Sequence, residues 1–472
     1  MELFLDRSDE RGLTAQLYDQ LREAIVAGQI RPGDRLRATR RVAAELGVAR
    51  STVAEAYYRL GAEGYITGRA GGGSVVSPVP VSPPDGPRRT RAHLVPVPAA
   101  AAVRPYGERP VAPVVYDFRP GTLDPALFPT ADWRRSMLRA LDHPAGSYGD
   151  PAGSPALRAA LAHWVARSRG VRATADEVFV TSGAGHAVDL IARVLVPPGS
   201  VVAVEEPGYP PVVELLRSHG LEVVGVPVDA EGIVVDALPA RARLVYVTPS
   251  HQYPLGMPMS RRRRLELLDW AARTGCPIVE DDYDSEFRHA ARPLEPLQRL
   301  DADGWVIYVG TFSKSLSPAL RLGFLVAPLT LVPALRALRQ VIDWSPPQAT
   351  QAALATLIEA GHLDRHLRRC RGVYAERRKL LWDGLGAALP AGHRRLPSVA
   401  GLHIAVLAPD GTEPAVRPDV RYSRLSRSYF TRTGPDGYLL GFAGIPSAVL
   451  PEAIRAFCGL LRHPAPELRG AR

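Results

Sequence analysis

What most constrains this chain is an interruption. Between residues 77 and 113 ten prolines are scattered among Ala, Ser and Arg, and no apolar periodicity runs through them. Such a stretch cannot bury enough apolar surface to fold alone, so it reads as a semi-extended linker. The chain must then fold as separate units on either side. Before the break, residues 13–68 have helical spacing: Leu13, Leu17, Leu21, Ala24 and Ile25 recur at three-to-four intervals up to a Pro32-Gly33 turn. After it, from about Tyr116, short β-rich runs alternate with helical stretches: EVFVTSG, SVVAVEE, LEVVGVPV, RLVYVTPS, PIVEDDY and WVIYVGTF. That alternation predicts a largely parallel α/β sheet with its chemistry at strand ends. The expected division is residues 1–76, a linker over 77–113, and residues 114–472; a length of 472 also exceeds what one hydrophobic core serves.

Composition narrows the class. With 46% hydrophobic and 22% charged residues the chain is globular. A net charge of +10 permits a polyanionic partner without locating it. Residues 1–76 hold 11 Arg against 10 acids, but from Arg31 to Ser51 six arginines meet only Asp34 and Glu45. Cys276, Cys370 and Cys458 have no metal-ligand spacing and leave one thiol over under any pairing, which fits a reducing compartment. No signal-like start and no membrane-length apolar run is present, so a cytoplasmic protein is expected.

Of 58 basic residues only Lys314 and Lys379 are lysine. Arginine stays protonated, whereas a lysine amine can lose its proton and attack an aldehyde. A lysine kept in so arginine-biased a chain is a candidate for that chemistry, although either one alone is as easily a leftover on the surface.

Between Arg37 and Gly61 the pattern predicts a helix over Thr39–Leu46, a tight turn at Gly47-Val48, and a second helix opening at Arg50-Ser51-Thr52. ITGRAGGGSVV follows as two short strands around a glycine-rich tip, where Arg69 could approach phosphates or the minor groove. In the α/β region, GTFSKSLSPALRLGF ends a strand at Gly310 and then offers Thr311 and Ser313 hydroxyls, the Lys314 amine and, seven residues on, Arg321. An aldehyde cofactor with a phosphate tail needs such a set. Asp281, in PIVEDDYDSEF, supplies a carboxylate for a ring nitrogen, and TSGAGHAVDLIARVL turns a strand into a helix through two glycines, leaving N–H groups for a phosphate.

Singly these motifs are weak. In this order LYDQLREAIVAGQIRPGDRL, RRVAAELGVARSTVAEAYYRLGAEGYI and the wing resemble the GntR-type winged helix-turn-helix, and residues 116–462 resemble a fold-type I pyridoxal phosphate (PLP) domain of aminotransferase type. Together they resemble the MocR branch of GntR transcription regulators. The resemblance implies a multi-domain chain, a mainly α winged helix-turn-helix followed by an α/β PLP fold with a smaller α+β C-terminal subdomain. It implies promoter contacts from Arg37, Arg40, Arg50, Ser51, Thr52 and Arg69, with Arg50 to Leu60 as the reading helix. Lys314 would hold PLP as a Schiff base, Asp281 would pair with the pyridine nitrogen, Tyr283 would approach the ring oxygen and Tyr209 would stack on the ring. Ala184, Gly185, Thr311, Ser313 and Arg321 would hold the phosphate. Tyr148 would reach the neighbouring subunit's phosphate, which implies a head-to-tail, domain-swapped homodimer.

Several positions depart from the pattern. Arg37-Ala38 stands where relatives carry Pro-Ser or Pro-Thr, and Tyr253, in HQYP, where aminotransferases carry an asparagine for the ring oxygen. Leu439 replaces a carboxylate-binding arginine, and Pro210 and Pro211 follow EEPGY where some regulators carry another. Arg427 is the remaining candidate for an effector carboxylate. These losses predict weak or absent transamination and a regulator that senses an amino compound or PLP; the rival expectation is a working aminotransferase with an accessory DNA-binding domain.

Overall fold

The computed structural model describes residues 3–9, 11–69, 73–78, 97–98, 102–104, 114–142, 146–289, 295–409, 414, 417–431 and 433–462. They fall into two compact units, residues 1–95 and 96–472. Most of the expected linker, 77–113, lies outside the described residues, as does the Arg69 side chain.

The first unit consists of α1 (Leu13–Val26), α2 (Thr39–Leu46) and α3 (Arg50–Ala62), then β1 (Ile66–Arg69) paired antiparallel with β2 (Gly73–Val76). One apolar face of each helix turns inward: Leu17, Leu21 and Ile25 meet Val42, Val53, Ala56 and Leu60, with Ile66 and Val76 closing the cluster from the strands. Between α2 and α3 the chain reverses at Gly47, whose φ of 63° is the left-handed conformation that glycine adopts without a Cβ penalty. Ala38 occupies the α2 N-cap and makes no side-chain cap hydrogen bond. The departure from Pro-Ser therefore removes a cap, a loss of about 0.5–2 kcal/mol for the helix.

The second unit is built on an eight-stranded sheet ordered β4-β11-β10-β9-β8-β5-β6-β7. In chain order β3 (Tyr116–Asp117) is followed by β4 (Val178–Thr181), β5 (Val201–Glu206), β6 (Glu222–Asp229), β7 (Gly232–Ile233), β8 (Ala242–Val247), β9 (Ile278–Asp282), β10 (Val306–Thr311) and β11 (Gly323–Val326). The run from β10 to β6 is parallel, as the alternation predicts. Two edges depart from it: β7 turns back on β6, and β11 inserts antiparallel between β10 and β4. Strand β11 was not read from the sequence, because its four residues, GFLV, are all buried and carry no alternation. Apolar clusters cover both faces of the sheet.

Beyond it, β12 (Arg394–Arg395), β13 (His403–Leu407), β15 (Ser423–Arg424) and β16 (Gly437–Gly441) form a four-stranded antiparallel sheet, and β14 (Val420–Arg421) pairs with β3. The helices His362–Ala388 and Leu450–Arg462 bury Leu381, Leu385, Ile454 and Phe457 in the core that this sheet shares. All three cysteines are buried free thiols. No helix among the described residues is long and apolar enough to cross a membrane.

Candidate functional site

The C-terminal ends of parallel strands leave a crevice, and here β8, β9 and β10 open into a cavity of about 390 Å3. Its lining unites residues scattered over more than 200 positions: Gly121, Ala184, Gly185, Tyr209, Tyr253, Asp281, Tyr283, Thr311, Ser313, Lys314 and Arg321. The Lys314 amine lies against Gly121, where an added Cβ would come within 2.4 Å of Nζ; the φ of 94° is what favours glycine at that turn. Burial holds the Lys314 amine below its usual range, against the pull of Asp284 and Asp281. A lowered amine pKa is what a nucleophilic lysine requires.

Asp281, at the buried end of β9, accepts a hydrogen bond from the Tyr246 hydroxyl at 2.6 Å on Oδ2. Its Oδ1 is buried with no hydrogen-bond partner in the described structure. Burial pushes this carboxyl up to about 7. An orphaned buried carboxylate oxygen at a cavity wall is incomplete without a donor, and a protonated ring nitrogen is a donor of the right kind.

On another side the helix Ala184–Leu195 begins at the cavity with its first residues lining it. Thr311 Oγ1 donates to Ser313 Oγ at 3.0 Å. Arg321 sits in the left-handed region, φ 52°, and its guanidinium donates to the Ser182 carbonyl beside Gly183. Helix N-terminus, hydroxyls and guanidinium together form an anion cradle suited to a phosphate. Tyr209 and Tyr253 meet edge to face at 5.2 Å. Residues that sequence reasoning missed are Gly121, Tyr246, Asp284, His251 and His403. His251 stood in the HQYP motif without being singled out, and Asp284 beside the DDY run; nothing local marks Tyr246.

A second chamber, about 680 Å3, shares Gly121, Tyr209, Tyr253 and Lys314 with the first and adds Arg119, Arg417, Arg421, Arg424, Arg427, Pro210 and Leu439. Arg427 is thus near the lysine, at an exposed position, while Leu439 is buried in β16. Ion pairs join Arg119 to Asp117, Arg417 to Asp419 and Arg424 to Asp436. Tyr148 is not brought into this chain's cavity: it is 70% exposed and stacks on Trp344 at 4.5 Å.

In the first unit Arg40, Arg50 and Ser51 are exposed and Thr52 is half-buried in the first turn of α3. Arg37 is engaged by Glu45 at 2.7 Å.

Residues 13–76 match the family described as bacterial regulatory proteins, gntR family, and residues 121–412 match aminotransferase class I and II. The probable rhizopine catabolism regulatory protein MocR of Rhizobium meliloti is 36% identical over 96% of this chain and 94% of its own length. This chain belongs to the MocR-type GntR regulators. Another MocR-type relative, the HTH-type transcriptional regulator TauR of Rhodobacter capsulatus, is 35% identical over 97% of this chain and 98% of its own length. Among solved structures, Pyrococcus horikoshii kynurenine aminotransferase in complex with PMP is 27% identical with a TM-score of 0.69, covering 75% of this chain and 91% of that one. The chain is accordingly a transcription regulator of helix-turn-helix type whose larger part has the fold-type I aminotransferase architecture.

Proposed function

We propose that this regulator binds promoter DNA as a homodimer and that PLP, or an amino compound reacting with it at Lys314, biases its DNA-binding state. The observation that carries the reading is the union in one chain of a winged helix with a lysine-bearing cavity whose carboxylate and anion cradle match PLP. When bound, the cofactor supplies an aldehyde carbon open to primary amines and a ring that withdraws electrons. Lys314 holds it covalently, Asp281 takes the ring N–H, and Ala184, Gly185, Thr311, Ser313 and Arg321 take the phosphate. Tyr209 would cover the ring, and Tyr253 and Tyr283, which line the same cavity, would be the residues offered to the ring oxygen. Arg427, at the mouth of the outer chamber, contacts an effector's anionic end.

Leu439, Pro210 and Pro211 cannot offer the guanidinium that orients a carboxylate over the ring, so ordinary α-amino acids turn over poorly. Exposed apolar side chains support a partner subunit: Leu138, Leu141, Val341, Ile342 and Trp344 are each more than 45% exposed. Tyr148 lies against Trp344 and in this reading reaches the partner's cavity in a head-to-tail dimer. Arg37, Arg40, Arg50, Ser51, Thr52 and Arg69 form the reading face, and a cytoplasmic site of action follows from DNA as the partner.

The test is a promoter titration with cofactor-free protein, holo protein and holo protein plus candidate amines, beside a transamination assay on the same preparation. A regulator shows DNA affinity changed by about 1–3 kcal/mol between states. Fast multiple turnover with identical DNA binding in every state would replace this reading with that of an aminotransferase carrying an accessory domain.

A further inference from the structure

Beside the cavity lies a buried polar network of which the reading above uses only Tyr283. His251 and Asp284 are each 2% exposed, and Ser398 is 8% exposed. His251 Nδ1 is 2.9 Å from Asp284 Oδ1 and 2.8 Å from the Tyr283 hydroxyl, while Nε2 is 3.0 Å from Ser398 Oγ. The Ser398 hydroxyl has one proton and donates it to the Ala400 carbonyl. Its oxygen therefore meets Nε2 as an acceptor, and His251 is protonated at Nε2.

That leaves Nδ1 facing two groups at once. With a second ring proton there, His251 donates to the Asp284 carboxylate and forms an ion pair, and Tyr283 is free to turn its hydroxyl proton elsewhere. Without it, Tyr283 donates to the one lone pair of Nδ1, and Asp284 Oδ1 loses its donor on the ring. The space is reserved for this pair: a Cβ on Gly401, φ 88°, would lie 1.9 Å from His251 Cε1 and 2.8 Å from Asp284 Oδ2, and one on Gly256, φ 88°, would lie 3.0 Å from Ser398 Cβ. Asp284, Tyr283 and Lys314 all line the cavity.

We propose that the His251–Asp284 pair is a positioning device for the cofactor lysine, setting the charge on the Lys314 amine and deciding whether Tyr283 donates its proton to His251 or into the cavity. It rests on Lys314 being the cofactor lysine. Burial keeps Tyr283 well above the ordinary phenol range, with Asp284 adding to the effect, so its hydroxyl stays a donor in both arrangements. The other titratable and charged groups facing the network are Asp281, Glu205, Glu286, Tyr253, His289, His403 and Arg378, which donates to the Ser398 carbonyl at 2.8 Å. His403 is pushed down to about 4 by burial and has Nε2 at 3.0 Å from the Pro254 carbonyl, so it stays neutral near pH 7 and does not supply the second proton. Asp281 faces the lysine as well, but burial favours its neutral form and the Tyr246 hydroxyl already occupies its Oδ2.

The chain's composition provides the measurement. With only Lys314 and Lys379 present, lysine labelled at Cε gives two NMR signals in the full-length cofactor-free protein, and exposed Lys379, paired with Asp383, is an internal control. Asp284→Asn removes a negative charge and should lower the proton affinity of Lys314 by about tenfold or more. His251→Asn removes the ring that can donate to the Asp284 carboxylate and should raise it. Opposite shifts at Lys314 with Lys379 fixed support the device; shifts of one sign, or none beyond that of Lys379, overturn it. Should Asp284→Asn fail to fold by circular dichroism, the direction of the His251→Asn shift decides alone. Because no cofactor enters this measurement, its failure is distinct from failure of the cofactor reading, which the visible absorbance of the parent holo protein reports separately.

Discussion

The two units place their working residues in opposite environments. In the winged helix Arg40, Arg50 and Ser51 stand in solvent over a small core, and function there depends on what the surface presents. In the α/β unit Asp281 and Lys314 are held in a cavity where burial lifts a carboxyl to about 7 and depresses an amine. A polyanion is met by exposed charge, because salt and water leave guanidinium groups free to engage phosphates. A covalent cofactor is met by groups whose ordinary ionisation burial has already disturbed. One unit is tuned by distribution and the other by desolvation.

The sharpest way to break this contrast is at the lysines. Lys314→Ala should abolish both the visible band of the holo protein and its borohydride-reducible adduct, while Lys379→Ala, on the surface, leaves both intact. A reducible adduct persisting in Lys314→Ala would remove the cavity from the account.

A core substitution separates the units energetically. Leu60 is fully buried in the first unit, and Leu60→Ala should destabilise it by about 2–5 kcal/mol. Promoter binding should fail at a temperature at which the visible band of the other unit is unchanged; simultaneous loss of both would make the units one cooperative body.

Desolvation at Asp281 has a signed consequence. Its carboxyl keeps its proton up to about 7 when folded, against an ordinary 3.8, so between these values the folded state binds more protons and the group's contribution to stability falls as pH rises. Above about 7 the cost is fully present. Asp281→Asn should therefore stabilise the cofactor-free protein at pH 8 by a few kcal/mol at most, read as a higher urea midpoint, and leave it unchanged at pH 4. The same substitution should weaken cofactor retention. An equal gain at both pH values would trace the effect to packing instead of charge.

The smallest effect belongs to the exposed side. Arg50→Ala should weaken specific promoter binding by about 1–3 kcal/mol if a base edge is contacted, seen as a loss confined to the cognate sequence in a competition assay. A uniform loss across sequences, with a shallower salt dependence, would make Arg50 a phosphate contact.

Legibility followed the range of the interactions. The helices Thr39–Leu46 and Arg50–Ala62, the wing, and the parallel strands that end at Asp282 and Thr311 were readable because each is specified by periodicity and turn residues within a few positions. Lys314 was readable because composition left two lysines and the GTFSKSLSPALRLGF stretch picked out one of them. Strand β11 was not, since four buried residues without alternation carry no strand signal of their own and are defined by insertion between β10 and β4. Tyr246, His251 and His403 escaped for the same reason: a tyrosine in a hydrophobic strand and a histidine near a proline become site residues only when Asp281 or Asp284 is brought against them.

The sequence by itself determined which groups the chain carries: a winged helix, a lysine beside two hydroxyls after one strand, an acid at the end of another and a glycine turn that opens a helix. Tertiary structure alone decided the state of those groups. Whether Asp281 keeps an oxygen without a partner, and whether Lys314 faces one acid or two, depends on neighbours drawn from β8, β9, β13 and the loop at Gly121. Ionisation responds to desolvation and to charges a few ångströms away, and those distances exist only once strands remote in sequence have been packed into one sheet.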